Sequence, residues 1–122
     1  VKNKRHCKSV SLFIKHFICD FPLQTSPWMY RNKGIYFHPG GIAHAAIHGA
    51  GTLLVLAPLI GVGAFQFAIL DMVVHYHIDW VKMNLGKRYN LRPDNSDWFW
   101  ILLGLDQLLH HLTYFLIIYL AF

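Results

Sequence analysis

The sequence predicts an all-α membrane protein in which three transmembrane helices and an amino-terminal amphipathic or re-entrant helix pack as a four-helix bundle. Three observations carry that reading. The 122 residues are 55% hydrophobic and 16% aromatic with only 14% charged, a balance that a soluble domain of this size would struggle to keep in solution. Three windows, 42–60, 64–83 and 98–122, each approach the ~20 apolar residues needed to cross ~30 Å of hydrocarbon. Finally, histidine and aspartate recur four residues apart inside these apolar stretches, and i, i+4 positions share one helical face.

Taken in order, residues 1–9 form a basic tail with Lys2, Lys4, Arg5 and Lys8. The apolar run that follows is too short for a signal peptide, is broken by Lys15, His16 and Asp20, and leads to no small-residue cleavage site. Leu12, Phe13, Phe17, Ile18 and Phe21 give residues 10–24 an apolar side, which predicts an amphipathic helix ending near Pro22 without crossing. The 42–60 window is rich in small residues (Ala45, Ala46, Gly49, Ala50, Gly51), suited to close helix packing in lipid. Pro58, Gly61 and Gly63 predict a turn into the 64–83 helix. Ser96 or Asp97 is placed to cap the last helix. The whole chain reads as a single membrane domain.

Charge sets the expected orientation. With the first helix on the surface, all eleven Lys and Arg residues fall on one side, in the tail, at Lys15, and in the 25–41 and 82–97 loops. Trp28, Trp80, Trp98 and Trp100 gather at the same boundary, as an interfacial belt would. The positive-inside rule then makes that side, and the amino end, cytoplasmic in a multi-pass protein of the bacterial inner membrane. Cys7 and Cys19 lie on that side too and are expected to stay reduced.

The polar stripes point to chemistry. His16/Asp20/Gln24, His44/His48, Asp71/His75/Asp79 and Asp106/His110 lie on four segments, and ionisable residues within a membrane are costly unless they meet. Counted from the cytoplasmic ends at ~1.5 Å per residue, His48, His75 and Asp106 reach a similar depth. Imidazoles and aspartates, with no Glu in the chain and no usable cysteine pair, make a nitrogen/oxygen site for a divalent metal, zinc first, with manganese or iron as alternatives. The candidate ligands are His16, Asp20, His44, His48, His75, Asp79, Asp106 and His110. Eight ligands exceed the four that one zinc takes, which suggests two ions. Gln24, Asp71 and Gln107 are candidates for supporting hydrogen bonds around the ligands. His6, His38, Asp94 and Asp97 are expected to be solvated.

These same residues carry a resemblance. His16-x-x-x-Asp20-Phe21-Pro22-Leu23-Gln24 with Trp28, Met29 and Lys33, then His44-x-x-x-His48, His75 with Ile78, Asp79 and Lys82, and Asp106-Gln107-x-x-His110 resemble the pattern of a family of small bacterial and phage membrane proteins filed as a domain of unknown function. The likeness runs from residue 12 to about 115, with Asp71, His77 and His111 outside the pattern. It implies a helical membrane protein and supplies no activity.

Three function classes follow. The first is a membrane-embedded metal-dependent hydrolase acting on a lipid-borne or phosphate ester at the cytoplasmic interface, with a metal hydroxide as nucleophile. The second is a di-iron membrane oxygenase of the desaturase type, to which His44/His48 and His110/His111 bear a likeness, although too few histidines complete that set. The third is a non-catalytic polar or metal core that stabilises the bundle, handles ions or protons, or docks a partner. Expected partners are the lipid bilayer and anionic head groups that match the basic loops. A homo-oligomer is left open, and nucleic acid is not expected because the basic segments carry no recognition motif.

Overall fold

The computed structural model describes residues 2–122, with the side chains of Lys4 onward. Val1 and the Lys2 side chain of the predicted basic tail lie outside the described residues. The chain forms α1 (Lys2–Asp20), a short helical turn α2 (Pro27–Tyr30), α3 (Pro39–Ile60), α4 (Ala64–Arg88) and α5 (Asp97–Ala121), with 3-10 turns at Pro22–Gln24 and Gly61–Gly63. Among the described residues there is no strand. The first helix therefore starts at Lys2 rather than at residue 10, taking in the basic tail, and it stops at Asp20 because Pro22 cannot continue it.

Local chemistry explains the boundaries. Pro39 starts α3 at a position where a missing N–H costs nothing, and His38 caps it by accepting from the Gly40 N–H through Nδ1 at 3.0 Å. His38 is thus a cap rather than a merely solvated residue. Pro58 stays within the last turn of α3, and the reversal falls on Gly61, whose φ of 61° lies in the left-handed region that glycine enters without strain. Ser96, not Asp97, caps α5 by accepting from the Trp98 N–H at 3.2 Å.

The four long helices form an up-down-up-down square. Each of α1 and α4 packs against both α3 and α5. The α3/α4 hairpin closes tightly at Gly49, where a Cβ would sit 3.0 Å from the Ala68 carbonyl oxygen and 3.1 Å from the Met72 Cβ. Loop 31–38 is pinned to α4 by the Tyr36 hydroxyl on His77 (2.9 Å), the Phe37 N–H on the Tyr76 hydroxyl (2.8 Å) and Asn84 on the Gly34 carbonyl (2.9 Å).

One expectation about α1 is overturned. It runs lengthwise beside α3 and α5, so Arg5 donates to the Phe122 carbonyl at 3.2 Å and the Lys8 ammonium lies 3.2 Å over the Phe122 ring. The amino-terminal basic residues consequently stand at the Gly61/Phe122 end, opposite the 25–41 and 82–97 loops. Sequence reasoning put them together because it laid α1 on the surface, whereas its inward residues need the bundle interior.

Burial is inverted relative to a water-soluble bundle. Among the described residues, thirteen buried side chains are polar or charged against eleven that are apolar, while thirty large apolar side chains are exposed. On α1 the exposed set is Val10, Ile14, Phe17, Ile18 and Phe21, and the buried set includes Lys15, His16 and Asp20. Two helical stretches, Pro39–Arg88 (α3 through α4) and Asp97–Ala121, are long and apolar enough to cross a membrane.

The interior is layered. Leu12, Leu56, Ala64, Phe67, Ile117 and Ile118 form an apolar layer at the Gly61 end, completed by Tyr114. Next comes a buried ion pair, Lys15 Nζ to Asp71 Oδ2 at 2.7 Å, with Thr52 also donating to Asp71 and Lys15 donating to the Tyr114 hydroxyl at 3.1 Å. Breaking such a pair strands a buried charge, at a cost of about 3–5 kcal/mol, whereas replacing both partners by apolar groups is often neutral. Lys15→Met should therefore lower unfolding stability in detergent by that order, and the double variant Lys15→Met/Asp71→Leu should recover most of it. A double variant no more stable than the single would show that the pair does not hold this layer.

Candidate metal centre

Below the Lys15–Asp71 layer, toward the loop end, all eight ligand candidates from the sequence meet in one buried cluster. Asp20 and His16 come from α1, His44 and His48 from α3, His75 and Asp79 from α4, and Asp106 and His110 from α5. The i, i+4 spacing puts each pair on the inner face of its helix, and the square packing points the four faces at one axis.

Two ligand groups share His75. In one, Asp20, His44, His48 and His75 each offer an atom, and these atoms all lie within 4.8 Å of one another; in the other, His75, Asp79 and His110 do the same. Around Asp20 Oδ1 stand the Nε2 atoms of His48 at 2.9 Å, His44 at 3.2 Å and His75 at 3.7 Å. Around Asp79, the Nε2 atoms of His75 (3.2 Å) and His44 (3.3 Å) face Oδ2, and that of His110 (3.4 Å) faces Oδ1. Asp106 Oδ1 extends the second group, 3.3 Å from His110 Nε2. His16 extends the first, with Nε2 3.0 Å from Asp20 Oδ2.

These separations suit coordination. Tetrahedral bonds of ~2.0–2.1 Å place ligand atoms ~3.3 Å apart. Moreover, the His44 and His75 Nε2 atoms face each other at 3.1 Å, where hydrogen bonding can use only one proton between two lone pairs. Asp106 Oδ1 and His110 Nε2, 3.3 Å apart, are buried without a hydrogen bond, as are the Nδ1 atoms of His44, His48 and His75. Buried polar atoms left so are exceptional in folded proteins. His48, His75 and His110 also stack, with ring centroids 3.6 and 4.1 Å apart, which fixes the three imidazoles as a ladder.

The supporting residues sort differently from expectation. Gln107 bridges the helices, its Oε1 3.0 Å from His16 Nε2 and its Nε2 donating to Asp106 Oδ2 at 3.0 Å and to Asp20 Oδ2 at 3.4 Å. Gln24 reaches only the Asp20 backbone carbonyl, at 2.8 Å. Asp71 does not support the ligands; it is held by Lys15 and Thr52 one layer away. The i, i+4 pattern aligned Asp71 with His75, but helical rise carries it a full turn up the bundle, where an inward lysine claims it.

Three lysines and a tyrosine complete what the sequence did not show. Lys33 Nζ lies 3.1 Å from Asp79 Oδ2, and Lys82 Nζ lies 3.1 Å from Asp106 Oδ2. Lys15 is the third. Tyr114 links the layers, its hydroxyl 2.7 Å from His16 Nδ1. The lysine–aspartate matches depend on pairing between distant segments; only the membership of Lys33 and Lys82 in the motif pattern hinted at them. His77 and His111 stay outside, His77 exposed and bound to the Val73 carbonyl at 2.7 Å, and His111 against Phe13. Asp94 is solvated beside Arg92.

No curated protein and no solved structure matches this chain. A family model described as "Protein of unknown function (DUF3307)" matches residues 9–122, a span that includes every ligand candidate and both lysines beside them. The match covers nearly the whole chain, which belongs to the DUF3307 family.

Proposed function

We propose that this protein is a membrane-embedded, metal-dependent hydrolase that acts on a phosphate ester at the loop end of the bundle. The observation that carries the reading is the convergence of Asp20, His44, His48 and His75 on one point with Asp79, Asp106 and His110 beside them; His75 Nε2 has one lone pair and would serve one ion, and Asp79, Asp106 and His110 would hold any second. Zinc fits the nitrogen/oxygen donor set, with manganese or iron as alternatives. Such an ion pair would supply a hydroxide at neutral pH and a clamp for phosphoryl oxygens. The chain's own share is electrostatic: Lys33 and Lys82 hold Asp79 and Asp106 in place from the loop side, and three carboxylates against two lysines leave the cluster able to accept cations. Gln107 orients His16, Asp20 and Asp106 together.

The rival reading is a non-catalytic polar core, favoured by the same Lys33–Asp79 and Lys82–Asp106 pairs, which compensate two carboxylates without any metal. A di-iron oxygenase would need two irons in the same place.

The bundle is set in a bilayer in this proposal, supported by the apolar exterior on all four long helices. Six basic residues (Arg31, Lys33, Lys82, Lys87, Arg88, Arg92) belong to the loop end, which makes it the cytoplasmic face. Because α1 lies along the full bundle, the amino-terminal tail then faces the other side, in place of the cytoplasmic amino end expected from the sequence.

Two outcomes are expected. Purified protein should carry about two divalent ions per chain by elemental analysis, and His48→Ala or Asp106→Ala should lower metal content and phosphate release together, while exposed Asp94→Ala changes neither. Full stability and phosphate release in protein stripped of metal would overturn the hydrolase reading. For topology, the native exposed Cys7 should react with a membrane-impermeant maleimide in intact cells, and Asn90→Cys only after permeabilisation. Labelling of both from the same side would exclude a lengthwise α1 in the membrane.

A further inference from the structure

Beside the metal-ligand cluster, the loop end contains a cavity of about 600 Å³ that no residue of the cluster fills, within the ~300–1,000 Å³ range of small-molecule sites. Arg31, Lys82 and Lys87 line it, and among its lining residues there is no carboxylate. The rest of the wall is largely apolar, with Ile35, Leu91 and Phe99 among it. A second hollow of about 330 Å³ follows the α4/α5 seam, lined by Leu85, Leu105 and Leu109 among others, and shares Lys82 and Leu102 with the first. Asp106 lines this seam as well. Lys82 is therefore the common wall between a cationic chamber, an apolar seam open to the outside of the bundle, and the carboxylate of a candidate metal ligand 3.1 Å away.

We infer that this chamber and seam bind an anionic amphiphile, a phosphate head group in the chamber with its acyl chain along α4/α5. Charge complementarity selects the head: Arg31 and Lys87, with no carboxylate in the chamber wall, stand beside a Lys82 already paired to Asp106 and favour a dianionic phosphate over a zwitterion, whose quaternary ammonium would meet like charge. The seam selects the tail, since Leu85, Leu102, Leu105 and Leu109 offer an apolar track that a free phosphate would leave unused. Both parts meet at Lys82, so a bound phosphate stands next to Asp106. This names the substrate class of the proposed hydrolase and rests on that reading for the fate of the phosphate, whereas binding itself needs no metal.

The test is lipid retention by the full chain in mixed micelles, read by native mass spectrometry with chelator present, using phosphatidic acid, phosphatidylcholine and inorganic phosphate as probes. Phosphatidic acid should be retained over phosphatidylcholine by at least about tenfold, and equimolar inorganic phosphate should not displace it. Arg31→Glu/Lys87→Glu should abolish the preference, Leu102→Trp should lower retention by filling the shared wall, and Lys4→Glu at the opposite end should leave retention unchanged. Thermal melts verify that each variant is folded, and because Arg31 and Lys87 are exposed, that pair of changes keeps the test valid if Leu102→Trp does not fold. Equal retention of the two lipids, displacement by inorganic phosphate, or a preference that survives Arg31→Glu/Lys87→Glu would overturn the inference. Lipid selectivity without bound metal in the untreated protein would instead sink the hydrolase reading alone.

Discussion

The contact between buried carboxylates and buried imidazoles is the constraint on which the rest of this structure depends. Removing an ion from water costs several kcal/mol even after the surroundings relax, and Asp20, Asp79 and Asp106 are all nearly fully buried. None can be accommodated by its own helix alone. Asp20 meets histidines from α1, α3 and α4, and Asp79 meets histidines from α3, α4 and α5. Axial sliding of one helix would strand a carboxylate, so these contacts set the register of the bundle as well as its interior.

That constraint also accounts for the inverted exterior. With the polar groups spent on the inside, the outward faces are left to Leu, Ile, Phe and Val, an exterior suited to the proposed bilayer. In the proposed bilayer setting, apolar side chains would gain little by moving between helix interface and lipid, so close packing and interhelical hydrogen bonds would carry the association. Gly49 at the α3/α4 contact supplies the first, and the Lys15, Tyr114 and Gln107 bridges supply the second. The apolar layer at the Gly61 end closes the bundle on the side away from the ligands.

The placement of cations gives the centre its polarity. Lys33 arrives from the 31–38 loop and Lys82 from the last turns of α4, both on the loop side, and each binds one carboxylate. On the opposite side Lys15 is committed to Asp71, and Tyr114 separates it from His16. The histidine–aspartate cluster is thus closed off by the Lys15–Asp71 ion pair at one end and bordered at the other by Lys33 and Lys82.

The sequence by itself determined the three long apolar helices and the eight residues that cluster, because i, i+4 spacing and the cost of lone polar groups in an apolar segment are local facts, while it missed the helical start at Lys2 and the short turn Pro27–Tyr30. The turn at Gly61 and the cap at Ser96 were legible for the same reason. Tertiary structure alone decided the direction of α1, since a helix with Lys15, His16 and Asp20 on one face and Phe17, Ile18 and Phe21 on the other reads equally as a surface helix or as an inside-out bundle member. It also decided that Asp71 belongs to Lys15 rather than to the histidines, and that Lys33 and Lys82 guard Asp79 and Asp106. Which lysine satisfies which aspartate depends on how distant helices are staggered, and helical periodicity within one segment contains no information about the stagger between segments.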